Sequence, residues 1–145
     1  MNAQFFVAGR DDIEAILALQ QEFYGIDNQK DVVKEVLLTL IDQPTYGKVW
    51  LTLVNGKVVG YMILTLGFSF ELKGKNAFLD ELYLQAPYRD QGIELRAIDF
   101  VATQCKAMGI KAIHLQVDIN NTKNFLLYQH YGFQDAGRIL MTRWV

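Results

Sequence analysis

The sequence predicts an α/β domain whose mixed, mostly antiparallel central sheet of about six strands is combined with four helices. Three observations lead there. Two β-rich runs meet at Asn55-Gly56, the strongest short-range sign of a hairpin, because a type I′ turn needs positive φ at both central residues. Apolar residues recur at helical spacing before that hairpin and again after Gly92. Beyond the hairpin, strand-like and helix-like runs alternate, as they do where a helix crosses from one strand to a parallel neighbour.

The first strand is expected over about Gln4 to Ala8. Asp11 and Glu14 then have capping-box spacing, and Ile13, Ile16, Leu17 and Phe23/Tyr24 fall on one helical face that Gly25 closes. A second helix, roughly Lys30 to Asp42, carries Val33, Val36, Leu37 and Leu40 at the same spacing, and Pro44 and Gly47 stop it. Lys48–Val54 and Lys57–Leu64 form the hairpin, and a turn near Lys73-Gly74-Lys75 feeds a third consecutive strand, Ala77–Leu84. The helix opened by Gly92 shows Ile98, Val101, Ala102, Cys105 and Met108 on one stripe and ends at Gly109. A strand over Lys111–Val117, a short helix over Thr122–Tyr131 and a last strand over about Arg138–Trp144 complete a single domain, 1–145.

Composition narrows the function. Hydrophobic residues make up 51% and charged residues 21% of the 145, which suits one compact core. A formal charge of -2 supplies no basic field, so a nucleic-acid partner is not expected. No apolar run approaches the roughly 18 residues of a membrane span, and the N-terminus has no basic segment of the signal-peptide kind. One cysteine, Cys105, and two histidines, His114 and His130, argue against a disulfide framework and a zinc site, so no metal is expected. The expectation is a cytoplasmic protein that does not act on a membrane.

The chemistry concentrates in two motifs. Tyr88-Arg89-Asp90-Gln91-Gly92-Ile93-Glu94 lies between an apolar strand and an amphipathic helix. A glycine turn that opens a helix aims several free backbone N–H groups at one point, where the helix dipole is positive, and so suits a phosphate or pyrophosphate. About thirty residues on, after another strand, comes Asn121-(x)2-Asn124-(x)3-Tyr128-(x)3-Gly132-Phe133. Taken alone, Asn121 is an N-cap and Gly132-Phe133 a helix stop with an apolar anchor.

Together these stretches resemble the GNAT acyltransferase superfamily. Leu82-Tyr83-Leu84-Gln85-Ala86-Pro87-Tyr88-Arg89-Asp90-Gln91-Gly92-Ile93 is similar to its coenzyme A motif, a strand followed by Arg/Gln-x-x-Gly-x-Gly/Ala, and the Asn121-to-Phe133 stretch is similar to its second motif. The resemblance covers essentially the whole chain. It implies acetyl-CoA as co-substrate and two parallel strands, Ala77–Leu84 and Lys111–Val117, that splay apart to form a coenzyme cleft. It places the pantetheine along the main chain of Leu82, Tyr83 and Leu84 and the pyrophosphate on the N–H groups from Arg89 to Ile93. It further implies Leu84 N–H as the donor that polarises the thioester carbonyl, Asn121 on the pantetheine, and Tyr128 as acid for the departing thiolate. A homodimer is implied by resemblance alone.

Two positions depart from the pattern. Glu94 stands where the family has Gly or Ala, and a carboxylate about 4–6 Å from a diphosphate is worth on the order of 1–3 kcal/mol of repulsion. Two readings follow: an active coenzyme site that tolerates Glu94, or a non-catalytic module of this fold whose coenzyme site is degenerate. Asn124 replaces the family's usual Ala and adds at most a polar contact.

On the acceptor side, Asp80-Glu81 interrupts an apolar strand. An acid within a sheet is costly unless it is paired, hydrated or functional, and amine acetylation needs a base to free the nucleophile. Regular alternation lets only one of the two face a given cleft. The surrounding sequence is similar to that of spermidine/spermine and related small-amine acetyltransferases. Phe23, Tyr24 and Asp27, with Phe68 and Phe70 from a later loop, are the expected lip around a small cationic amine. The expected activity is therefore transfer of acetyl from acetyl-CoA to a primary amine in a ternary complex.

Overall fold

A computed structural model describes residues 2–25 and 29–145. The chain forms two compact units, Met1–Leu115 and Gln116–Val145.

The first unit is a five-stranded sheet in the order β1-β2-β3-β4-β5, formed by Ala3–Val7, Gly47–Val54, Lys57–Ser69, Gly74–Leu84 and Ala112–His114. The first three pairings are antiparallel and the last, β4 with β5, is parallel. The hairpin turn is where Asn55-Gly56 predicts it, with φ of 51° and 76°. Two helices, α1 (Ile13–Tyr24) and α2 (Lys30–Asp42), cover one face of the sheet, and α3 (Ile93–Ala107) covers the other.

Burial explains the division. Ile13, Ile16, Leu17, Leu19, Leu37 and Leu40 from the first two helices join Val49, Leu51, Tyr61 and Tyr83 of the sheet in one cluster. On the opposite face Ile93 of α3 packs with Val54, Val59 and Leu84, and Phe100 lies against Phe5 and edge-on to Trp50. Cys105 is buried on the apolar stripe of α3, and burial lifts its thiol pKa to about 11, which keeps it a packed thiol rather than a nucleophile.

Three expectations need correction. The cap of the first helix is not the Asp11/Glu14 box: a 3₁₀ turn over Arg10–Asp12 precedes α1, and the Asp12 carboxylate accepts the Gly9 N–H at 2.8 Å. Glu14 is instead spent on Lys34, 3.2 Å away. The strand expected over Lys111–Val117 shrinks to three residues, because only Asn76, Ala77 and Phe78 of β4 pair with it.

The third correction concerns Arg138–Trp144, which forms no strand, so among the described residues five strands replace about six. A strand exists only where its N–H and C=O groups find a ladder. Here Ile139, Met141 and Trp144 are about nine-tenths exposed instead.

The second unit contains α4 (Thr122–His130). The Asn121 side chain accepts the Asn124 N–H at 3.1 Å, the N-cap expected of it. Gly132, at φ 98°, ends the helix, and Phe133 returns edge-on to Tyr128.

Candidate active site

The site is built on β4. Between Leu79 and Glu81 the ladder slips: Leu79 pairs with Leu64 and Glu81 with Ile63, so Asp80 is an extra residue facing no partner. The slip inverts the alternation. Leu79 shares a face with Leu64, while Glu81 shares the opposite one with Ile63 and Tyr61, under α1.

There the Glu81 carboxylate is held at both oxygens. Tyr61, fully buried, donates its hydroxyl to Oε1, and Tyr24, the last residue of α1, donates to Oε2 at 2.9 Å. Burial raises the Tyr24 phenol to about 12, the Glu81 bond adds to this, and the charges of both Glu81 and Asp80 reach it. Tyr61 is raised further by burial first and the same carboxylate second.

Asp80 itself is exposed and makes no side-chain hydrogen bond or ion pair among the described residues. The charges of the two consecutive acids therefore both reach the Tyr24 hydroxyl, on the α1 side of the sheet. That side was not readable from alternation alone, since the bulge breaks the period of two.

Next along the strand, the Tyr83 hydroxyl donates to Glu22 Oε2 at 2.9 Å, and Gln85 Nε2 reaches the same carboxylate at 3.1 Å. Phe23 stacks on Tyr24 at 4.4 Å and on Tyr83 at 5.3 Å, giving a half-exposed aromatic rim beside the acids. Glu22 and Tyr61, absent from the sequence expectation, are thus part of this cluster; they carried no signal because only tertiary contact brings α1 and β3 to β4.

Phe68 and Phe70 are not part of it. Phe68 pairs with Lys75, six residues before Glu81, which is about 20 Å along the strand. Both rings are more than four-fifths exposed at the hairpin tip, where Phe70 lies 4.8 Å from the Lys73 ammonium. Asp27 lies outside the described residues.

The main chain of β4 supplies the other half of the site. Gln85 N–H donates to Val59 O at 2.9 Å, so Gly60 and Leu84 form a non-hydrogen-bonded pair. The N–H and C=O of Leu84, and by the same two-residue repeat those of Leu82, therefore point away from β3. They point to the outer edge, where β5 has already ended opposite Phe78. Tyr83 is the exception within the expected trio, because the register turns its main chain inward to β3. Of the free groups, Leu84 O is taken by Arg89 Nε at 2.6 Å, which leaves Leu84 N–H and the Leu82 groups at the edge.

The turn after β4 has Asp90 at φ 60° and Gly92 at φ 83°, and Gly92 is the N-cap of α3 with no side-chain cap bond. A Cβ built at Gly92 meets nothing within 4 Å, so the helix start faces open space. Glu94, half-buried, stands in the first turn. Among the described residues no group of three or more His, Cys, Asp and Glu is placed to hold a metal, and no helix is long and apolar enough to cross a membrane. His114 packs its ring 5.1 Å from Phe78.

A sequence profile of the Acetyltransferase (GNAT) family matches residues 13–133. The chain belongs to this family. A bovine (Bos taurus) thialysine N-epsilon-acetyltransferase is 35% identical over 78 residues, 54% of this chain and 45% of that protein, so the match spans under half the relative's length. Integron cassette protein HFX_CASS3, from the mobile metagenome of Cole Harbour Salt Marsh, superposes with a TM-score of 0.88 at 28% identity, covering 98% of this chain and 90% of that one. A predicted acetyltransferase from Clostridium acetobutylicum, solved with acetyl-CoA, superposes at 0.80 with 16% identity, covering 98% and 96%.

GNAT acetyltransferases use acetyl-CoA, and two features of the first unit suit parts of such a ligand. The outward main-chain groups of Leu82 and Leu84 can pair with amides, and the uncapped helix start at Gly92 can take an anion. Asp90 in the turn and Glu94 in the first turn of α3 are the acids whose charge opposes it.

Proposed function

We propose that this GNAT protein transfers the acetyl group of acetyl-CoA to a primary amine of a small molecule, directly in a ternary complex. The observation that carries the proposal is the outer edge of β4: Leu84 N–H faces outward past the end of β5, on the strand that also bears Asp80, which stands outside the β3–β4 ladder. Acetyl-CoA supplies the acyl group already activated as a thioester.

Asp80 acts as the base, taking the proton of the amine directly or through one water, and its charge draws in the cationic form. Glu81, committed to Tyr24 and Tyr61, shapes the pocket rather than exchanging protons. The Phe23/Tyr24 rim offers aromatic faces to the incoming cation. Leu84 N–H stabilises charge on the carbonyl oxygen. The N–H groups of Arg89, Asp90, Gln91, Gly92 and Ile93 hold the diphosphate. From the second motif, Asn121 and Asn124 serve the pantetheine, and Tyr128 gives its proton to the departing thiolate; the motif supports these three roles. The bovine relative, named for acetylating the Nε of thialysine, supports a small amine acceptor.

A second reading, a non-catalytic GNAT module, is favoured by Glu94 alone. Calorimetric titration with acetyl-CoA, followed by thiol release with a panel of primary amines, separates the two. Micromolar binding and amine-dependent release support the enzyme; no binding by the wild type removes it.

A further inference from the structure

Arg89 does something that its place in the turn does not require. Its Nε reaches back five residues to the carbonyl of Leu84 at 2.6 Å, and its guanidinium lies 5.5 Å from the Tyr83 ring. That carbonyl belongs to the Leu84–Gln85 peptide, whose other edge is fixed because Gln85 N–H donates to Val59 O at 2.9 Å. The peptide following Leu84 is thus gripped from both sides, by β3 and by Arg89.

The grip extends further. Tyr83, against which Arg89 rests, is tied by its hydroxyl to Glu22 of α1, and Gln85 is tied to the same carboxylate. Gly60 lies opposite Leu84, and a Cβ there meets the Tyr83 carbonyl oxygen and Leu84 Cα, so β3 is pressed tightly against this stretch. The end of β4 is therefore locked by α1, β3 and the turn together. An N–H that is to meet a developing charge gains most when it cannot reorient during the reaction.

We infer that Arg89 is a positioning residue: its side chain, not only its backbone N–H, fixes the direction of Leu84 N–H and withdraws the Leu84 carbonyl from the cleft edge. An anionic reacting oxygen near a free carbonyl dipole is repelled, so occupying that carbonyl with a cation removes an opposing field as well as anchoring the donor. Arg89 needs no contact with substrate for this. The inference rests on the acetyltransferase reading above.

The test compares wild type with Arg89→Gln and Arg89→Lys. Dissociation constants are measured for CoA by calorimetry, kcat for acetyl-CoA with the best amine of the panel, and thermal midpoints for all three proteins. Arg89→Gln is expected to lower kcat about tenfold or more while CoA affinity stays within about threefold. Arg89→Lys, which keeps a cationic donor without the rigid guanidinium plane, is expected to recover part of the loss. A role confined to folding moves the midpoint and leaves kcat of the folded protein alone, and that result overturns the inference. So does a loss of CoA affinity equal to the loss in kcat/KM. A wild type that neither binds CoA nor turns over overturns the acetyltransferase reading and this inference with it, whereas an active wild type matched by an equally active Arg89→Gln overturns this inference only.

Discussion

Glu81 is bound by two tyrosine hydroxyls, Tyr61 and Tyr24, while Asp80 beside it stands outside the β3–β4 ladder with no side-chain partner among the described residues. Two acids adjacent in sequence thus receive opposite assignments from one bulge. Asp80→Asn removes the proposed base and is expected to lower kcat by about a hundredfold or more. Glu81→Gln keeps an acceptor for both hydroxyls and is expected to retain most of the turnover. Steady-state kinetics with one amine over a pH series decides it; equal losses in both variants defeat the division of labour.

Tyr61 donates from a fully buried position to a charged acceptor. Tyr61→Phe deletes that donor and leaves one carboxylate oxygen short of a partner. It is expected to cost about 1.5–3 kcal/mol of unfolding free energy, measured by urea denaturation. A cost within error of zero means the bond contributes nothing net.

The same pair fixes a response to alkali. Folding raises both phenols above their ordinary 10.0, Tyr24 to about 12 and Tyr61 further, chiefly by burial and then by the Glu81 bond. A phenol raised on folding keeps its proton longer in the native chain. Its stabilising contribution is therefore complete below pH 10 and is lost as pH rises through the folded value, for Tyr24 between about 10 and 12. The urea midpoint of wild type is expected to fall over that window. In the double variant Tyr24→Phe/Tyr61→Phe the fall is expected to be shallower, and an unchanged slope would assign the effect to other groups.

Glu94 gives a prediction on binding alone. Replacing it with Gly removes a carboxylate from the first turn of α3 and is expected to tighten acetyl-CoA binding about tenfold to a hundredfold. Calorimetry at two salt concentrations checks the cause, since a charge effect shrinks with salt. No gain means that the Glu94 side chain turns away from the ligand.

What could be read in the sequence was local. Asn55-Gly56 demands its turn, Gly92 its left-handed cap, and Asn121 its bond to Asn124, because each is decided within a few residues. The face of Glu81 was not legible, because a bulge is set by how β4 meets β3 and leaves no mark on the periodicity. The Glu22–Tyr83 and Tyr24–Glu81 bonds join residues 61 and 57 apart and exist only after α1 has docked. Arg138–Trp144 failed for the converse reason, since strand propensity without a neighbouring ladder makes no strand.

The bulge also separates the acid from the architecture. On either side of Asp80, Leu79 and Glu81 pair with Leu64 and Ile63, themselves consecutive. Deleting the single codon for Asp80 would leave an unbroken ladder in which every partner on β3 is unchanged and Glu81 keeps its tyrosines. The carboxylate proposed as the base is an addition that heredity could gain or lose in one step without redrawing the sheet.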